Sequence, residues 1–87
     1  MHTDEYEISL GREVVYCRKM VEALRQALAG HEKQSGLETA ALLRASDTPP
    51  GVSERTAQSW REDHRQLQLW EQLLEEYEAA YRGLTHL

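Results

Sequence analysis

Phenylalanine is missing from this 87-residue chain, and cysteine occurs once, as Cys17. A lone thiol closes no internal disulfide, and at an apolar helical position it reads as a small buried hydrophobe. Proline occurs only as the pair Pro49-Pro50, so helix is barred at one place by missing donors and fixed φ. No stretch approaches the roughly 18 apolar residues of a membrane span, and no membrane is expected as a partner. Positive charge is scarce: 10 Lys and Arg stand against 15 Asp and Glu, for a net charge of -5. The basic residues are scattered along segments that also carry Glu, so nucleic acid and anionic lipid are poor partners. The opening Met1-His2-Thr3-Asp4-Glu5 is acidic where a signal peptide is basic and then apolar. A cytoplasmic location is the default expectation.

Signals of catalysis are equally sparse. There is no glycine-rich phosphate loop and no paired-cysteine motif. No serine or cysteine stands near a base that a third group would orient. The expectation is a protein that is not an enzyme and carries no cofactor.

What is present is helical periodicity. Leu10, Val14, Cys17, Val21, Leu24 and Leu28 recur at alternating gaps of four and three, the heptad pattern of one helix stripe. The spacing predicts a first helix over about 3–29, capped by Thr3 or Asp4 and ending near Gly30. The pattern leaves open whether that helix runs on through Gly30. Ser35 with Glu38 three residues later forms a capping-box pattern ahead of a short helix over about 36–46. A Pro-Pro turn follows at 47–52. Ser53 then caps a third helix over about 54–82, with Gly83 as its stop. Its stripe runs Trp60, Leu67, Trp70, Leu74, Tyr77, Tyr81 and Leu84, with Asp63 as the polar interruption.

The two long helices can be tested as an antiparallel hairpin, in which each core layer joins residues whose numbers add to one constant. With 91 as the constant, Leu10 meets Tyr81, Val14 meets Tyr77, Cys17 meets Leu74, Val21 meets Trp70 and Leu24 meets Leu67. Every layer sets a smaller side chain against a larger one or Leu against Leu, as a packed seam requires. On one flank Arg18 and Arg25 face His64, Glu71 and Glu78. The other flank is apolar: Tyr6, Tyr16, Met20, Ala23 and Ala27 from the first helix, with Leu69, Leu73 and Ala80 from the third. A short helix of about 15 Å covers only part of rods of about 40 Å. The expected fold is therefore an all-α hairpin that dimerises into a four-helix bundle through the second flank.

Three functional readings follow. The first is a non-enzymatic helical assembly or adaptor module that self-associates and binds a partner helix on the apolar flank. The second is a metal-binding bundle using His31, Asp63 and His64, which this register brings to the loop end with Glu32. The third is chaperone work on a partner protein, since the chain resembles small acidic secretion chaperones in size and charge. The aromatic residues at helical spacing read as core rather than as a ligand groove. The acidic stretch Glu71, Glu75, Glu76 and Glu78 reads as a solvated face.

Overall fold

The structure, a computed structural model, describes residues 5–85, and all regular structure among them is helical. Helix α1 spans Glu5–Ser35, α2 spans Thr39–Arg44 and α3 spans Glu54–Thr85. The expected caps Thr3 and Asp4 lie outside the described residues.

Helix α1 runs past Gly30, correcting the expected stop there. Nothing approaches within 4 Å of Gly30, and one glycine costs a helix interior only about 1 kcal/mol. The apolar stripe on either side of it outweighs that cost. The stop is Gly36, at φ +75°, a left-handed conformation that glycine adopts without steric penalty at a helix C-terminus. The Ser35–Glu38 capping box does not form. Ser35 Oγ accepts from the Leu37 N–H at 3.1 Å, and Glu38 makes no side-chain cap hydrogen bond to α2. Glu32, on α1, takes that role: its Oε2 accepts from the Thr39 N–H at 2.8 Å.

Between α2 and α3 the chain turns on its two prolines. Val52 N–H donates to Pro49 O at 3.2 Å and Gly51 lies at φ +84°, a type II turn with Pro50 and Gly51 in its central positions. Ser53 then caps α3 as expected, its Oγ accepting from the Thr56 N–H at 3.1 Å. Gly83 does not end α3, which continues to Thr85.

The long helices, of 31 and 32 residues, lie antiparallel. Arg18 pairs with Glu78 and Arg25 with Glu71, each at 2.9 Å, so residues late in α1 meet residues early in α3. Seam layers follow the same order. His31 stacks on Trp60 at one end, and at the other Tyr81 Cε1 lies 3.4 Å from where a Gly11 Cβ would stand. Leu10, Val14, Cys17, Val21 and Leu28 are buried on α1. Val21, Leu28, Leu42, Ala57, Trp60 and Leu67 form one core cluster, with Leu24, Trp70 and Leu74 packed against it.

Helix α2 closes only the loop end. Leu42, Ala57 and Trp60 have no exposed surface there. Its fastenings are to Glu32 on α1 and to Trp60 and Arg61 on α3, the last through Arg61 Nη2 donating to Leu42 O at 3.5 Å. Glu32 lies one heptad beyond Arg25, so α2 sits on the same flank as the two Arg–Glu pairs. The opposite flank receives no third helix. Consequently the molecule is a rod of 60 × 18 × 16 Å with a radius of gyration of 17.4 Å, where a compact chain of this length has about 12 Å.

Candidate interaction surface

None of the eight residues expected on the apolar flank is buried. Tyr6 is 64% exposed, Tyr16 52% and Leu69 49%. Ala23 and Ala80 are exposed, while Met20, Ala27 and Leu73 are half-buried. The Tyr16 ring meets Trp70 edge-on, with centroids 5.5 Å apart and planes at 74°. This is a favourable aromatic geometry, and it ties the flank to the seam while leaving the outer half of Tyr16 in water. Scattered exposed apolar residues are ordinary; these recur on one flank at helical spacing, with Ser9, Glu13 and Glu76 standing between them.

Total accessible surface gives the same picture in area. The chain exposes 6316 Å², where a compact monomer of this mass exposes about 5300 Å². The excess follows from the elongated shape, 60 Å long and 16–18 Å across.

Charge is sorted around the band. Arg12 and Lys19 lie on its α1 rim and Glu76 on its α3 rim, all exposed. None of the three makes an ion pair among the described residues. Glu62, further along the α3 rim, is engaged locally by Arg65 and Gln66. Those hydrogen bonds, with the Arg65 charge, hold its carboxyl below the usual carboxylate range.

Of the three proposed metal ligands, two come together. His31 Nε2 and Asp63 Oδ2 are 3.1 Å apart, and the His31 ring stacks on Trp60 with centroids 5.3 Å apart and planes at 16°. His64, half-buried one residue on, does not complete a triad with them. Among the described residues no group of three or more His, Cys, Asp or Glu is placed to hold a metal ion. Cys17 is 1% exposed, and burial, with Glu13 nearby, pushes its thiol pKa up. It is held as an unreactive thiol.

Two features were missed in the sequence. Ile8 and Val15 are 56% and 49% exposed and border a shallow apolar depression of about 540 Å³ on the outer face of α1, with Gly11, Tyr16 and Tyr81. Their seven-residue spacing was the available signal, but the repeat stops at Glu22 after two members. The second is the Glu32–Thr39–Trp60 fastening of α2. It joins residues seven and 21 positions apart, which no periodicity brings together.

No described helix is long and apolar enough to cross a membrane. Comparison with protein-family models, curated proteins and solved structures finds no match to the chain.

Proposed function

We propose that the chain is a non-enzymatic helical assembly module that self-associates through the flank carrying Tyr16, Met20, Leu69 and Leu73. The observation that supports this reading is the uneven covering of the hairpin. One flank carries the ion pairs and α2, and the other holds Tyr16, Met20, Leu69 and Leu73, which no third helix covers among the described residues. Covering such a band releases structured water at about 25 cal/mol per Å² of apolar surface. Two hairpins joined this way complete a four-helix bundle, the layout in which a helix pair buries a second apolar side.

The test is mass in solution. Sedimentation equilibrium or light scattering of the untagged protein across a dilution series is expected to give twice the chain mass at tens of micromolar. A single-chain mass at every concentration would overturn the reading. Leu69→Glu, at an exposed position of the hairpin, is expected to shift any dimer to monomer while helicity by circular dichroism is retained.

A further inference from the structure

We infer that the segment from Gly36 to Gly51 is a hinged strap, in which α2 lifts off the loop end as one unit while α1 and α3 stay paired, uncovering Trp60. It is independent of the self-association proposed above. The juxtaposition behind it is a single residue with two bonds. Thr39 gives its backbone N–H to Glu32 Oε2 at 2.8 Å and accepts the Trp60 indole N–H on its hydroxyl at 2.9 Å. One movement of Thr39 breaks both, so the tie to α1 and the tie to α3 are lost together. Beyond them α2 is held by Leu42, which is fully buried, and by a long hydrogen bond from Arg61 to the Leu42 carbonyl at 3.5 Å. Leu37, half-buried at the start of the strap, packs on the same cluster, while Leu43 is 43% exposed.

Both ends of the strap can turn. Gly36 lies at φ +75° and Gly51 at φ +84°, and glycine moves between left- and right-handed backbone without the steric penalty that other residues meet. A few residues of this kind absorb the dihedral change when an element swings. A detached helix of six residues does not persist in water, so the Leu42 N–H, bonded to Glu38 O at 3.3 Å in the closed form, opens with the Thr39 ties.

The hairpin does not depend on the strap. Leu10, Val14 and Cys17 are buried outside the cluster that holds Leu42, and the Arg18–Glu78 and Arg25–Glu71 pairs join α1 to α3 directly. Even at the loop end the two rods keep their own tie, since His31 stacks on Trp60 and its Nε2 lies 3.1 Å from Asp63 Oδ2. Lifting α2 therefore spares the seam, the condition for a local unit to open below the free energy of global unfolding. It frees the indole N–H of Trp60 beside Ala57, two residues with no exposed surface in the closed form.

Hydrogen exchange of the isotope-labelled full chain, followed by NMR, tests the strap. The Thr39 and Leu42 amides and the Trp60 indole N–H are expected to share one opening constant, about tenfold or more above that of the Cys17 amide in the seam. Val14→Ala weakens the seam in the closed and the lifted forms alike. It is expected to speed exchange at Cys17 about tenfold and to leave the three strap protons at their wild-type rates. Thr39→Val removes the acceptor of Trp60 and is expected to speed exchange at Leu42 about tenfold. Strap protons that exchange no faster than Cys17, or that Val14→Ala speeds equally with it, would overturn the inference. So would exchange at Leu42 as fast as in an unstructured peptide, because no closed form would then exist, and so would a Leu42 rate that Thr39→Val leaves unchanged.

Discussion

The indole N–H of Trp60 donates to the Thr39 hydroxyl at 2.9 Å, joining the most buried large side chain of α3 to the first residue of α2. Thr39 in turn donates its backbone N–H to Glu32 on α1 at 2.8 Å. Three helices are thereby linked through one threonine, at the end of the rod where Leu42, Ala57 and Trp60 are fully buried. A six-residue helix has almost no stability of its own, so this link and the burial of Leu42 are what hold α2 in place.

Thr39→Val keeps the shape and removes the oxygen. It leaves a buried indole N–H without an acceptor, which costs about 1–3 kcal/mol. Thr39→Ser keeps the oxygen and is expected to lie within about 1 kcal/mol of wild type. Urea denaturation followed by Trp fluorescence measures both, and equal loss in the two variants would show that the hydroxyl contributes nothing.

The same link makes the loop end sensitive to acid. Hydrogen bonds from the Thr39 backbone and side chain hold the Glu32 carboxyl below its ordinary pKa of 4.5. A depressed carboxylate contributes stability that is fully present above the unfolded value and is lost as pH falls through the lower folded value. Glu62 is shifted in the same direction, so acid weakens the fold at two places. Glu32→Gln is expected to lower stability at pH 7 and to narrow the difference between pH 7 and pH 3, as read by denaturant midpoints at each pH. A variant that loses as much stability on acidification as wild type would exclude Glu32 as a contributor.

Two glycines on either side of the α1 terminus are expected to respond in opposite directions. Gly30 is a helix-interior position with open space around it, so Gly30→Ala is expected to stabilise by roughly 0.5–1 kcal/mol. Gly36 is held at φ +75°, where a Cβ is strained, so Gly36→Ala is expected to destabilise by about 1–2 kcal/mol. Thermal melts of the two variants decide between this boundary and one at Gly30.

That boundary also marks what the sequence makes legible. The seam was readable because heptad spacing and size alternation both act over seven or more residues, and they agree on a register that His31 on Trp60 and Tyr81 beside Gly11 follow. The charged flank was readable for the same reason, and Arg18–Glu78 and Arg25–Glu71 form as the register requires. Helix ends were less so. Gly30, Ser35 and Gly83 carry the local signals of stops and caps, but the energies of those signals, about 1 kcal/mol each, are smaller than the packing of the apolar turns on either side. At the loop end, residues brought together by the register proved to be bound in pairs. His31 is taken up by Trp60 and Asp63, and Glu32 by Thr39, which the sequence pattern alone does not assign.

The last prediction separates what holds the hairpin from what joins two of them. Leu42 is fully buried within one chain and Leu69 is 49% exposed on the flank. Leu42→Ala removes a packed side chain from the cluster around Trp60 and is expected to cost about 2–5 kcal/mol at any protein concentration. Leu69→Ala removes surface that a second copy covers in the proposed dimer. At nanomolar protein it is expected to change stability by no more than about 0.5 kcal/mol. At tens of micromolar, where association adds to the stability of the folded chain by mass action, the loss should grow. Denaturation of both variants at the two concentrations measures the difference. Equal losses for Leu69→Ala at high and low concentration would mean that the exposed band stabilises the single hairpin and is not a surface for a partner.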